Sequence, residues 1–382
     1  MADFSLTEKQ RLLRELARDF AQKFILPAAS LHDEEGSFAW EVYEKAFEQG
    51  LMNPNIPARY GGPGLGCLDT CVVMEELAWG CGGIASSWFA NVLATEPILL
   101  AGTEEQKERF LRPFTQELRM GAFCLTEPGA GTDVGAISTT ARREGECYII
   151  DGHKCFITNG GVASLYVIFA STDRELGTRG ISAFIVPSDT PGVRKGKKED
   201  KMGQRAADTA EVLLEEAVVP SSERLGEEGD GFKIAMKALD WTRPGVAALA
   251  TGVARAAFEA ASKHALEREQ FGAPIVSFQG LSFMLADMAK DIEAARLLTR
   301  WAAWLMDRGE RNTAAAAMAK VFATDAAMRV TTDAVQVLGG YGYMKENRLE
   351  KYMRDVKLCQ IYEGTNQILR AIIARELFGG SP

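Results

Sequence analysis

Ile181-Ser182-Ala183-Phe184-Ile185-Val186, closed by Pro187, is a short run of β-branched and aromatic residues in which nothing is charged. Too short for a buried helix and punctuated by proline, it reads as a strand. Cys147-Tyr148-Ile149-Ile150, Leu165-Tyr166-Val167-Ile168-Phe169 and Glu211-Val212-Leu213-Leu214 have the same texture and are separated by Gly, Asp, Asn and Pro clusters. Together they predict a small all-β unit in the middle of the chain.

On both sides the pattern turns helical. Ser5 with Glu8 reads as a capping box, and Leu12, Leu13, Leu16, Ala17, Phe20 and Phe24 follow at helical spacing, with Pro27 expected to end the helix. A second helix is expected from Trp40 to Gln49, then the Asn53–Pro57 loop and the glycine-rich Gly61–Gly66, which suit turns. Leu68 to Leu77 and Ile84 to Leu100 carry few charges and predict two buried helices. From about Gly231 the helical period returns; Gln279 to Met306 and Thr313 to Leu338 are rich in Ala, Leu and Met and lack proline. The Ala314–Ala317 run is simply good helix former. The expected fold class is α+β, mostly α: an N-terminal α-helical domain over 1–118, a central small β-barrel-like domain over 119–228, and a C-terminal four-helix bundle over 229–382.

A chain of 382 residues is too long for one ordinary core, which agrees with several domains. Its net charge of −9 argues against a nucleic-acid partner, which demands a basic face. The seven cysteines form no Cys-x-x-Cys pair and only three histidines are present, so neither a metal site nor a disulfide framework is expected. The start lacks the basic and apolar regions of a secretory signal, and no stretch is read as approaching the ~18 uncharged apolar residues of a membrane span. A cytoplasmic, bacterial-type protein without a membrane partner is expected, although a processed mitochondrial protein would look the same.

Four segments carry chemistry. Phe123-Cys124-Leu125-Thr126-Glu127-Pro128-Gly129-Ala130-Gly131-Thr132-Asp133 crowds hydroxyls, glycines and a carboxylate into a turn where backbone N–H groups could approach a ligand; a loop tip would use the same residues. Lys154-Cys155-Phe156-Ile157-Thr158-Asn159 ends a strand with an aromatic and a hydroxyl, which a core would also explain. Arg268-Glu269-Gln270-Phe271-Gly272 terminates a helix expected to begin near Pro244, where an Arg suits a solvated cap. Gln360-Ile361-Tyr362-Glu363-Gly364-Thr365-Asn366-Gln367-Ile368 places a carboxylate where a helix is interrupted, on a turn with free backbone donors; taken alone, such a glutamate is more often a surface residue than a base.

The wording of these segments, with Met202-Gly203-Gln204-Arg205, Gln336-Val337-Leu338-Gly339-Gly340-Tyr341-Gly342 and Tyr352-Met353-Arg354-Asp355, resembles the acyl-CoA dehydrogenase family over essentially the whole chain, its medium- and short-chain members most closely. The resemblance implies FAD between the β-domain and the C-terminal bundle. Phe123, Leu125, Thr126, Gly131 and Thr132 would surround the isoalloxazine with Phe156, Ile157 and Thr158. Arg268, Gln270 and Phe271 would meet the pyrophosphate and adenosine. Gln279, Gln336, Val337, Gly339 and Gly340 would reach the flavin across a subunit boundary, and Thr365 and Gln367 would also face it. It further implies a homotetramer built as a dimer of dimers.

The implied reaction converts an acyl-CoA to the trans-2-enoyl-CoA. Glu363 takes the α proton, hydride passes to flavin N5, and electrons leave to an electron-transferring flavoprotein. Burial should raise the Glu363 pKa toward its task, and the Glu363 N–H with a ribityl hydroxyl would hold the thioester oxygen. Thr242 stands where some relatives carry the base and cannot serve as one. Thr132, Asp240, Thr242, Arg243 and Gly364 would meet the acyl-CoA. Phe156 replaces the tryptophan of many members. Trp88, Phe89 and Trp241 would shorten the acyl pocket, favouring short, medium, branched, aromatic or alicyclic acyl groups, while for Trp88 and Phe89 a place in the core is the other reading. The alternatives are a glutaryl-type decarboxylating dehydrogenase, an acyl-CoA oxidase and, in another class, a non-catalytic flavoprotein assembly factor. From Leu77 to Gln106 there is no Lys or Arg where the first would need a cation.

Overall fold

The computed structural model describes residues 5–379. Its first third is helical: α1 (Glu8–Phe20), α2 (Leu26–Glu35), α3 (Trp40–Glu48), α4 (Cys67–Gly80), α5 (Gly82–Ala101), α6 (Glu104–Leu111) and α7 (Pro113–Gln116). The capping box at the start is Thr7 with Gln10, not Ser5 with Glu8: Thr7 Oγ1 accepts the Gln10 N–H at 3.2 Å and Gln10 Oε1 accepts the Thr7 N–H at 3.1 Å. Both frames satisfy the motif. Gln10 decides between them, because its amide also donates to Asp69 on α4 at 2.9 Å. Nor does Pro27 end the first helix. A π-helical turn, Ala21–Ile25, joins α1 to α2, and Pro27 falls in the first turn of α2, where a missing N–H is tolerated.

The helices α4 and α5 are buried as their few charges predict. Trp88 is core, 2 % exposed, with its indole N–H donating to the Leu51 carbonyl at 2.9 Å. The expectation that no stretch nears span length is corrected here. By length and composition α5 could cross a membrane, but 78 % of its apolar window is buried inside the protein, as for a core helix.

The centre is one eight-stranded sheet: β1 (Gly121–Cys124), β2 (Thr140–Glu144), β3 (Cys147–Thr158), β4 (Leu165–Ser171), β5 (Ile181–Pro187), β6 (Val193–Lys198), β7 (Thr209–Pro220) and β8 (Arg224–Leu225). Its order is β6-β7-β3-β2-β4-β5-β8, with β1 parallel to β4. β4 and β5 pair antiparallel, Leu165 opposite Pro187 through Ser171 opposite Ile181, and β4 is buried on both faces, which explains their unbroken apolar runs.

The last part holds α8 (Gly231–Glu267), the small hairpin β9 (Glu269–Gln270) and β10 (Ala273–Pro274), then α9 (Gln279–Asp307), α10 (Thr313–Leu338), α11 (Leu349–Cys359) and α12 (Asn366–Phe378). α8 begins at Gly231, so Pro244 lies inside it instead of opening it. The carbonyl of Asp240, which Pro244 deprives of its helical donor, accepts instead from Asn312 Nδ2 at 3.0 Å. The sheet locks onto the helices at Gly203: a Cβ there would lie 2.2 Å from the Arg354 carbonyl oxygen, so only glycine lets the two backbones meet.

Candidate active site

Glu363 occupies the break between α11 and α12. Its backbone is left-handed (φ 52°), followed by Gly364 at φ 93°, and a non-glycine residue in that region must be held by its surroundings. Cations bind on both sides of it: Arg243 Nε donates to the Glu363 carbonyl at 3.3 Å and Lys320 Nζ to the Gly364 carbonyl at 2.8 Å. Among the described residues the N–H groups of Glu363, Gly364 and Thr365 find no acceptor. The Thr242 hydroxyl donates to Glu363 Oε2 at 2.8 Å. Burial raises the Glu363 carboxyl to about 7, against the lowering pull of that hydrogen bond and of Arg243 and Lys320.

α8 supplies the floor. Arg243, 3 % exposed, pairs with Asp240 at 2.7 Å, and Asp240 also accepts from Thr313 at 2.7 Å. One turn beyond Thr242, Gly245 leaves room for a ring: a Cβ there would meet Phe89 Cζ at 2.0 Å. Phe89 therefore packs against α8 at this glycine, and like Trp88, whose ring stacks on it at 6.3 Å, it is buried in the core.

The segments at the ends of β1 and β3 lie side by side. The Cys155 N–H donates to the Thr126 carbonyl at 3.0 Å. Lys154, fully buried, donates to the Leu125 carbonyl at 3.1 Å and to Glu127 Oε1 at 2.7 Å. Burial raises the Glu127 carboxyl, but Lys154, Ser138 and Thr139 outweigh it and hold the group at about 2. Leu125 and Ile157 are buried, and Phe123 packs on Phe169. Phe156, by contrast, is not core: it stands 65 % exposed at φ 56°. The hydroxyls of Thr126 and Thr158 have no partner among the described residues, and a Cβ on Gly131 would meet open space. An exposed ring flanked by two unused hydroxyls fits a flat heterocycle with polar edges, such as isoalloxazine. Next to this face, Asn159 donates to the Ser87 carbonyl at 3.0 Å, tying it to the part of α5 that carries Phe89.

The remaining expected residues fall elsewhere. Arg268 caps α8, with Gln270 and Phe271 on the hairpin after it, Phe271 being 97 % exposed. Arg268 stands 6.0 Å from the Tyr341 ring, which puts this end beside Gln336, Val337, Gly339 and Gly340 at the end of α10; Val337 itself is buried. Gln279 opens α9. From Thr242 to Arg268 the helix runs about 39 Å at 1.5 Å per residue, so the two groups do not meet within one chain. Thr365 caps α12, its hydroxyl accepting from the Ile368 N–H at 3.3 Å, and Gln367 is exposed, as is Thr132.

Comparison with known proteins then decides the family. The models of the acyl-CoA dehydrogenase N-terminal, middle and C-terminal domains match residues 7–117, 122–217 and 229–378. The mitochondrial short-chain specific acyl-CoA dehydrogenase of Bos taurus is 46% identical over 374 residues, 97% of this chain and 90% of that protein. The chain belongs to the acyl-CoA dehydrogenase family. The cyclohex-1-ene-1-carbonyl-CoA dehydrogenase of Geobacter metallireducens is also 46% identical, over 97% of this chain and 98% of its own. A solved structure described as the electron transferring flavoprotein of Acidaminococcus fermentans superposes with a TM-score of 0.97 at 48% identity, covering 99% of this chain and all of that one (100%). As an acyl-CoA dehydrogenase, the protein is an oxidoreductase acting on acyl-CoA.

One residue of this acyl-CoA dehydrogenase site escapes a reading by motif. Lys320 grips the Glu363 turn from α10, through the Gly364 carbonyl and Asn366 of α12. The signal for Lys320 was present: a lone charge in Ala314-Ala315-Ala316-Ala317-Met318-Ala319-Lys320-Val321, where the helix is otherwise apolar.

Proposed function

We propose that this acyl-CoA dehydrogenase oxidises an acyl-CoA thioester to the trans-2-enoyl-CoA, with Glu363 as the base that takes the α proton. The observation that carries this is the Glu363 carboxyl, lifted to about 7 on a turn whose N–H groups are free among the described residues. At neutral pH such a carboxylate can both exist and accept a proton, which an ordinary one near 4.3 does poorly. The Glu363 N–H is available for the thioester oxygen, where a pre-aligned donor contributes about 3 kcal/mol as enolate charge develops. FAD, when bound, supplies the acceptor for the β hydrogen, leaving as hydride, that no side chain can provide.

Thr126, Phe156 and Thr158 are the proposed flavin face, with Phe123, Leu125, Gly131, Thr132 and Ile157 around them. Arg268, Gln270, Phe271, Gln279 and Gln336 to Gly340 would complete the site of a second copy, because about 39 Å of α8 exceeds the reach of one dinucleotide. A homotetramer built as a dimer of dimers is the proposed assembly, and Thr365 and Gln367 follow the base toward the cofactor. Asp240, Thr242, Arg243 and Gly364 support the base where the acyl-CoA would lie. An electron-transferring flavoprotein is the proposed electron acceptor, supported by the match to the chain from Acidaminococcus fermentans. Similarity to a bacterial relative supports action in the cytoplasm.

The acyl group is proposed to be short or compactly cyclic, since Phe89 of α5 packs on α8 at Gly245, one turn from Thr242, and both relatives are equally similar. Anaerobic addition of butyryl-, cyclohexenoyl- and palmitoyl-CoA to the yellow holoenzyme tests this. The first or second should bleach the flavin within seconds, and Glu363→Gln should stay yellow with all three. Turnover by Glu363→Gln removes the base; brisk oxidation of the palmitoyl thioester removes the short pocket. Rapid reoxidation in air would instead favour an oxidase, and carbon dioxide release from glutaryl-CoA a decarboxylating enzyme. A wild-type holoenzyme inert to every thioester would favour an assembly factor.

A further inference from the structure

Lys320 is fully buried midway along α10, and no carboxylate reaches ion-pair distance of its ammonium among the described residues. Burying an ammonium without a counter-ion is costly. Lys320 instead spends its donors on the turn that carries Glu363: Nζ lies 2.8 Å from the Gly364 carbonyl and 3.0 Å from Asn366 Oδ1. Asn366 in turn donates to Thr324 Oγ1 and to Asp325, each at 2.8 Å. The turn is thus tied to α10 from the side opposite Arg243.

We infer that Lys320 is a positioning residue for the proton abstraction: its ammonium clamps the left-handed turn bearing Glu363 and adds a buried positive charge, without an ion-pair partner among the described residues, on the α10 side of the carboxylate. This rests on Glu363 being the base.

The other charged and titratable groups facing the site are already committed. On α8, Arg243 pairs with Asp240 and Thr242 contributes only its hydroxyl. On α10, Asp325 pairs with Arg370 of α12 at 2.6 Å. Cys359 and Tyr362, at the end of α11 and in the turn, lie within reach of each other, and burial raises both above their ordinary values, so they stay neutral at working pH. Lys320 is therefore left facing Glu363 without a partner of its own. Burial lowers Lys320 to about 8, partly opposed by Cys359 and Glu363, so its charge is present below about pH 8 and fades above it.

The test compares holoenzymes of wild type, Lys320→Met and Lys320→Gln with one turned-over thioester, across pH 5.5 to 9.5 (roughly the range in which enzyme carboxylates and lysines titrate). Both variants should move the acid limb of kcat upward by about half a pH unit and lower kcat near neutrality about threefold, with KM within about twofold. The gap should narrow above about pH 8, more for Lys320→Gln, whose amide can still donate to Gly364. An acid limb that stays at the wild-type pH in an FAD-loaded variant overturns the inference. So does failure of both variants to retain FAD, which would make Lys320 a folding residue. Glu363→Gln, measured alongside, separates the two ideas: if it is inactive while the Lys320 limb is unmoved, only this inference is lost, and if it is active the base assignment itself is wrong.

Discussion

Thr242 on α8 and Glu363 on the α11–α12 turn are 121 residues apart in sequence and 2.8 Å apart in space, the hydroxyl donating to the carboxylate. A donor to the charged form stabilises it, so Thr242 opposes the burial that raises Glu363. Thr242→Val keeps the shape of this fully buried residue and removes the donor. A net hydrogen bond of about 1 kcal/mol corresponds to roughly 0.7 pH unit. The acid limb of kcat/KM should rise by about that amount; a pH profile identical to wild type would show the bond to be idle.

Glu363 also makes stability depend on pH, with a definite sign. Its folded value, about 7, lies above the ordinary 4.5. Between those values the folded chain keeps a proton that the unfolded chain has released, so this group's contribution falls as pH rises from about 4.5 to 7 and remains lost above. Glu363→Gln should therefore melt higher than wild type at pH 8 and close to it at pH 4.5. Melting curves of the holoenzymes check this, and a pH-independent difference would contradict it.

The Lys154–Glu127 pair behaves in the opposite way. Glu127 is held at about 2, below its ordinary 4.5, so its contribution is complete above about 4.5 and disappears as pH falls through about 2. Lys154→Met strands a carboxylate that is 2 % exposed and frees the Leu125 carbonyl, at a cost of about 3–5 kcal/mol. Denaturant midpoints should drop accordingly, and FAD should be lost on gel filtration. A variant as stable as wild type would mean that the loop reorganises around the missing cation.

Because α8 separates Arg268 from Glu363 by about 39 Å, defects at the two positions should complement. Glu363→Gln chains lack the base, and Arg268→Ala chains should hold FAD poorly. Unfolded together and refolded, a mixed pair contains one site with both residues intact. Activity well above either parent is expected, and none would indicate that each chain builds its site alone.

Much of the fold was legible because the signals are local. The apolar runs of β4 and β5 and the sparsely charged α4 and α5 each report burial on their own. The break at Glu363 was legible from Gly364 and Thr365, the glycine at φ 93° and the cap of α12. What escaped depends on distant partners. Thr7 prevails over Ser5 because Asp69 anchors Gln10, and α8 runs through Pro244 because Asn312, 72 residues away from Asp240, answers the freed carbonyl. Phe156 and Trp88 illustrate both outcomes for an aromatic: the same hydrophobicity leaves one ring on the surface and seals the other inside, and neighbours alone decide.

The left-handed backbone at 363 says something about descent. Glutamate there costs roughly 1–2 kcal/mol relative to a residue at ease in that conformation, and glycine or asparagine would relieve it. A gene copy released from turnover would be expected to drift toward those residues without losing its architecture. A homologue with the same helices and sheet but glycine at this position, and no acid in the place of Thr242 either, would therefore declare a change of occupation, whatever the rest of its sequence still resembled.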